Sequence, residues 1–209
     1  LHSGARINRW EDKAGFYHLF NYEPFRSNEV SGSSVIDPSS VIDLTSKMQA
    51  DGTVAWEVPP GDWTVMRFGY SLTGAKNRPA VPAGSGYEVD KLSREHTEAY
   101  IKEYTAPIAA ALGTLYGKSL QGVMLDSWEA GMQNWTDNML PEFKSRRGYD
   151  LTPFLPCLSG HVVGSSAVSD RVLWDFRRTL ADMFAENHYA VLTGFLNRQG
   201  IKTYGEASG

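Results

Sequence analysis

Two short strand-like runs, Gly122-Val-Met-Leu125 and Ile201-Lys-Thr-Tyr-Gly205, frame the second half of the chain, and a long stretch of helical periodicity lies between them. A run of four or five residues is too short for a helix that must bury itself, but suits a strand inside a sheet. Upstream of the first run, Ser93 reads as the cap of a helix with apolar positions Tyr100, Ile101, Tyr104, Ile108 and Leu112 at a 3.6-residue period, ending at Gly113. Between the runs, a shorter helix is expected near Asn138 to Arg147, stopped by Gly148, then a loop punctuated by Pro153 and Pro156. A long helix follows, opened by Ser169 or Asp170 and carrying the stripe Leu173, Phe176, Leu180, Phe184, Val191 and Phe195. Strands alternating with helices in this way form parallel βαβ units, which close either as a barrel or as an open sheet.

The fold class expected is therefore α/β. Because Gly122-Val-Met-Leu125 is apolar throughout, it is read as a strand covered on both faces. A complete (β/α)8 barrel takes eight strands and about 250 residues, whereas this 209-residue chain offers about three candidate barrel strands. If the closure is a TIM-type barrel, it is a partial one. Before it, Thr53-Val-Ala-Trp-Glu-Val58, Pro59-Pro-Gly-Asp62 and Trp63-Thr-Val-Met-Arg-Phe-Gly69 read as strand, turn and strand, with Val54, Trp56 and Val58 sharing one face and Trp63, Val65 and Arg67 another. A β-hairpin is expected there. Residues 1–50 lack a period and are rich in Ser, Asn and Asp, so they read as an irregular accessory or linking segment, with 51–209 as the partial barrel. A chain that starts at Leu1 and stops at Gly209, directly after a strand, reads as part of a longer polypeptide truncated at its C-terminal end.

Composition narrows the function classes. A net charge of −4 leaves no basic field, and the pairs Arg146-Arg147 and Arg177-Arg178 fall on expected helices as solvated or capping cations, so nucleic acid is not an expected partner. The single cysteine, Cys157, excludes an internal disulfide and a multi-cysteine metal site. No apolar run approaches the ~18 residues of a membrane span. His2, His18, His96, His161 and His188 are isolated in sequence and read as core or surface residues; dinucleotide, phosphate-loop and serine-hydrolase signatures are absent.

What remains is a set of carboxylates at strand ends. Glu129 and Glu206 each follow an expected strand, and in a βα-barrel both strand ends open into the mouth. Cleavage of a glycosidic bond needs one carboxylic acid to protonate the leaving oxygen and one carboxylate to activate water or attack carbon. By position alone, either glutamate reads more readily as a surface loop residue. Asp126 either orients Glu129, binds a hard cation, or serves as a turn-forming Asp. Glu88 and Asp90 precede the helix capped by Ser93, where acids suit the helix dipole; a place at a barrel mouth is the functional alternative. Trp128 and Trp135, with Gln133 and Asn134 beside them, are placed either to stack on sugar rings or to plug a barrel end.

Six ordered stretches carry a resemblance: Pro59 to Tyr70, Gly86 to Ser93, Asp126 to Thr136, Glu142 to Asp150, Leu173 to Arg178 and Tyr204 to Ala207. Together they resemble glycoside hydrolase family 106, the α-L-rhamnosidases, over roughly residues 50 to 209. The resemblance implies a catalytic (β/α)8 barrel within a larger secreted bacterial enzyme, periplasmic or extracellular, that removes terminal α-L-rhamnosyl groups from plant or microbial glycans with inversion. It also implies a calcium ion at the sugar. It marks Glu129 and Glu206 as catalytic carboxylates, with Asp126, Trp128, Asn134, Trp135, Glu88 and Tyr204 as substrate-binding residues, and leaves acid, base and calcium ligands unassigned. The partners implied are an oligosaccharide or glycoside and the remainder of the parent chain. The rivals are another exo-glycosidase on such a barrel, β-galactosidase-like, and a non-catalytic carbohydrate-binding module.

Overall fold

A computed structural model describes residues 6–16, 26–30, 32, 35–125 and 131–205. The chain divides into two compact units, Leu1–Tyr70 with Leu140–Arg177 and Ser71–Met139 with Arg178–Gly209. The regular elements are α1 (Trp10–Lys13), α2 (Arg94–Leu112), β1 (Gly122–Leu125), α3 (Met139–Arg147), α4 (Ser166–Met183), α5 (Ala190–Asn197) and β2 (Lys202–Gly205). Helix and strand are thus mixed in the α/β manner expected, with one two-stranded sheet among the described residues.

In the first unit the core is built from Ile7, Ala14, Cys157, Val162, Val163 and Leu173, with Trp10, Ile36 and Phe154 packed on it. The segments that meet there are short and irregular, so their backbone groups pair in single bridges: Ile7 N donates to Gly160 O at 2.9 Å, and Ile36 N to Val162 O at 2.9 Å. The proline-punctuated stretch Thr152–Ser159 is wound as 3₁₀ turns. Asp170 fastens the N-terminal segment to α4, accepting from Lys13 Nζ at 2.8 Å, Ser27 N at 2.7 Å and Ser27 Oγ at 2.8 Å.

Two expectations need correcting in this unit. α4 opens at Ser166, three residues before Ser169, and the cap is Ser165, whose Oγ accepts from Val168 N at 3.1 Å. Ser169 and Asp170 look like caps in sequence but are already in the helix. Their side chains bond across the fold instead, Ser169 Oγ accepting from Val163 N at 2.8 Å. The β-hairpin is not formed: 53–58 and 63–69 carry no ladder, and the nearest pairing is an isolated antiparallel bridge between Met48 and Val54. The turn is closed by side chains, with Trp63 Nε1 donating to Pro59 O at 2.9 Å and the Trp56 and Trp63 rings edge-to-face at 5.3 Å. Alternating apolar residues hold a two-stranded ribbon only where a surface covers their shared face, and Val58 and Val65 are 60% and 74% exposed here.

The second unit carries the sheet. α2 begins as expected, Ser93 Oγ accepting from His96 N at 3.3 Å, and it ends at Gly113, which takes φ 53°. β1 and β2 pair in parallel with Val123 opposite Thr203 and Leu125 opposite Gly205. Val123 and Leu125 pack with Ile101 of α2, Leu192 and Leu196 of α5, and Ile201. Thr193 and Thr203 hydroxyls share a hydrogen bond at 3.0 Å, which seats α5 on β2. The other sheet face is open, with Met124 48% and Tyr204 63% exposed, so β1 is covered on one face rather than on both. Its uniformly apolar sequence conceals that difference. α4 passes into α5 through a π-helical stretch, Phe184–Tyr189, and the run ends at Asn197.

A Cβ at Gly205 would overlap the carbonyl oxygen of Leu125, directly across the sheet. Gly205→Ala is therefore expected to destabilise by about 1–3 kcal/mol as the strands separate. Gly194→Ala, at a half-buried helical position where the new methyl meets only the Arg198 guanidinium at 3.5 Å, is expected to stabilise by about 0.5–1 kcal/mol. Chemical unfolding of the two variants should move the midpoint in opposite directions.

Candidate active site

The candidate site grows from two irregular segments and the sheet. The first, Gly86-Tyr-Glu-Val-Asp-Lys-Leu-Ser93, enters through an isolated antiparallel bridge between Lys76 and Tyr87, with Glu88 N donating to Ala75 O at 3.0 Å. Glu88 is thereby fixed by its own backbone. Its carboxylate is ion-paired with Lys91 Nζ, one helical turn on, and both side chains are largely shielded. The segment then turns into α2, where Asn187 Nδ2 in the π-helical stretch donates to Leu92 O at 2.8 Å and Arg94 donates to Glu186 O at 3.1 Å.

The second segment, 131–138, leads into α3 and contains Gln133, Asn134, Trp135 and Thr136. Asn134 and Trp135 are half-buried, and Thr136 is buried. The two segments meet at Asp90. Its Oδ1 accepts from Gln133 Nε2 and from Leu92 N at 3.0 Å, and its Oδ2 accepts from Thr136 Oγ1 at 2.7 Å. Gln133 Oε1 in turn accepts from Lys91 N at 3.3 Å. His96 Nδ1 stands 3.9 Å from the same Asp90 oxygen that receives Thr136.

The cluster joins the segment that carries Glu88 to the segment that carries Asn134 and Trp135. Tyr204 is carried by β2, with its ring over Gly122, where an added Cβ would come within 3.3 Å of Cε1. Asp126, Trp128, Glu129 and Glu206 lie outside the described residues. Their chain neighbours Leu125 and Gly205 are register partners at the ends of β1 and β2. Among the described residues no group of three or more His, Cys, Asp or Glu side chains is placed to hold a metal ion, and no helix is long and apolar enough to cross a membrane.

Thr136 and Asn187 were not singled out from sequence, Gln133 was read only as an amide beside Trp135, and Asp90 was read either for its helix-dipole position or for a place at a barrel mouth. Their partners lie 43 to 95 residues away, beyond any local pattern. His188, next to Asn187, is 8% exposed, and its Nδ1 is buried without a hydrogen-bond partner among the described residues. Burial, reinforced by the Lys91 ammonium, pushes its imidazole down to about 4. Of the core and surface positions that the sequence left open, His188 takes the core.

Similarity to known proteins was found over nearly all of the chain. A family model described as alpha-L-rhamnosidase, glycoside hydrolase 106, matches residues 1–209. The structure of a rhamnosidase from Novosphingobium sp. PP1Y superposes with a TM-score of 0.86 at 40% identity, covering 99% of this chain and 20% of that one. A protein of Formosa agariphila named "Putative beta-glucuronidase" is 39% identical over 173 residues, 83% of this chain and 15% of the relative. The chain therefore spans a fifth or less of the length of these relatives.

Because the folded His188 titrates near 4 against about 6.5 when unfolded, its neutral form is favoured by folding. The contribution is complete above pH 6.5 and is lost as pH falls from 6.5 through 4, at most on the order of 3 kcal/mol. His188→Phe, which does not titrate, should show a shallower loss of stability across that window than the wild type. Parallel stability profiles for the two would contradict the assignment.

Proposed function

The chain belongs to the α-L-rhamnosidase family, glycoside hydrolase 106, and from that premise we propose that it is part of the catalytic region of an inverting α-L-rhamnosidase. The observation that carries the reading is the parallel register of β1 and β2. Leu125 and Gly205 are partners at the two strand ends, and the segments Asp126-Ser-Trp-Glu129 and Glu206 continue directly from them. In this proposal β1 and β2 are neighbouring strands of a (β/α)8 barrel whose other strands are supplied by the remainder of the parent chain. α2 and α5 then lie on the outer side, and the open face bearing Met124 and Tyr204 is turned to the interior.

Glu129 and Glu206 are the proposed pair of catalytic carboxylates. One, protonated, gives its proton to the departing glycosidic oxygen; the other takes a proton from the water that attacks the anomeric carbon from the opposite face. The bond from that carbon to the leaving oxygen breaks as the bond to water forms, and configuration inverts. Asp126 and Glu88 are proposed to bond sugar hydroxyls, with Trp128 and Trp135 stacking on the ring and Asn134 and Tyr204 adding polar contacts. Calcium belongs to the proposal on family grounds alone. Among the described residues no group of three or more His, Cys, Asp or Glu side chains is placed to hold it, and its ligands stay unassigned. The same grounds suggest a periplasmic or extracellular enzyme acting on rhamnose-bearing glycans.

One observation favours a second reading, the name carried by the Formosa relative, which points to β-glucuronides. Hydrolysis of aryl α-L-rhamnosides and aryl β-glucuronides by the full-length parent separates the two. Turnover of the rhamnoside is expected, reduced about 10²- to 10⁴-fold by Glu129→Gln and by Glu206→Gln, the usual worth of a general acid or base. Loss of that turnover on calcium chelation, restored by added calcium, is expected as well. Turnover of the glucuronide alone would overturn the substrate assignment, and full activity of either glutamine variant would remove that residue from the pair.

A further inference from the structure

Gln133 and Thr136 bracket Asn134 and Trp135, and both end on the same carboxylate, that of Asp90. A loop pinned on both sides of a dipeptide to one anchor cannot shift that dipeptide without breaking a bond to a charged acceptor. The polarity of the joint is also set. Gln133 Oε1 is committed to the Lys91 N–H at 3.3 Å, so its Nε2 faces Asp90 and can only donate. Leu92 N, at 3.0 Å, can only donate too. Position 90 therefore calls for an acceptor on that side. The segment that holds Asp90 is itself braced, since Asn187 Nδ2 binds Leu92 O at 2.8 Å and Glu88 N binds Ala75 O at 3.0 Å. A carboxylate engaged by an amide, a hydroxyl and a backbone N–H is built as an anchor rather than as a free acid.

We propose that Asp90 is a positioning residue that clamps the 131–138 loop to the segment carrying Glu88 and so presents Asn134 and Trp135 to the sugar. The clamp is read from the contacts alone; the choice of sugar rests on the rhamnosidase reading. It acts on binding more than on chemistry, because Asp90 reaches the substrate only through the residues it holds.

The test uses the full-length parent with Asp90→Asn, Gln133→Glu, the double variant and Thr136→Val. Gln133→Glu sets two carboxylates together and should raise KM for an aryl α-L-rhamnoside roughly tenfold, the worth of one hydrogen bond to a charged group, with a smaller change in kcat. Asp90→Asn can keep Oδ1 on Gln133 Nε2 and Leu92 N and turn Nδ2 to the Thr136 hydroxyl, so alone it should raise KM less. In the double variant the amide now at position 90 can donate to the carboxylate now at position 133, which still accepts from Lys91 N, so KM should fall back toward wild type relative to Gln133→Glu. Backbone amides across 131–136 should exchange with solvent faster in Gln133→Glu and slow again in the double variant. Thr136→Val, which removes one arm and keeps the shape, should give a smaller change of the same kind.

Wild-type KM and exchange rates in Gln133→Glu, or a double variant no better than Gln133→Glu, would overturn the clamp. If the wild type does not hydrolyse the rhamnoside, the function proposed above falls, and the exchange measurements still decide the clamp by themselves.

Discussion

The parallel pairing of β1 and β2 is the constraint on which the second unit depends. Two four-residue strands are far too short to hold together by their own ladder, so the pair exists because one face is sealed. Ile101, Leu192, Leu196 and Ile201 form that seal, with Val123 and Leu125 set into it. The approach of the strands leaves no room for a side chain at Gly205, where a Cβ would meet the Leu125 carbonyl. Register, close approach and one-sided burial therefore act together, and they decide from where the two carboxylate-bearing segments depart.

The same economy appears in the helix that delivers β2. Its π-helical stretch shifts the phase of the side chains between α4 and α5, and within that stretch Asn187 bonds Leu92 O while His188 is buried beside it. π-helical turns are costly in backbone hydrogen bonding and are kept where a side chain has to be aimed off the regular helical face. Here the aim is toward the segment that bears Glu88, Asp90 and Lys91. A structural helix and a candidate site segment are thus joined by a backbone irregularity that no periodic pattern announces.

Local chemistry was readable where a residue answers to its neighbours in sequence. Ser93 caps α2 and Gly113 ends it, because both act within one turn of themselves. β1, β2 and the long helix were visible for the same reason, their periods being local. The misreadings share one cause. Trp56 and Trp63 alternate with other apolar residues as hairpin residues do, yet their ladder would need a covering surface, and the chain closes the turn with an indole hydrogen bond instead. Ser169 has the look of a cap but serves Val163, and Met124 has the look of a buried strand residue but is 48% exposed in this chain. The Asp90 cluster was beyond reach for the same reason, since Gln133 and Thr136 find it only after the chain has folded back over more than forty residues. Glu129 and Glu206 are proposed from residue type and strand-end position alone, and lie outside the described residues.

The central claim is that the paired strand ends launch two carboxylates toward one cleft. The most direct measurement is the separation of the Glu129 and Glu206 carboxyl groups in an experimental structure of the full-length parent holding a rhamnose-like inhibitor. The account predicts both groups facing the sugar about 6.5–9.5 Å apart, room enough for the attacking water. A spacing near 5–5.5 Å would contradict inversion, and side chains turned to separate surfaces would contradict the pairing itself.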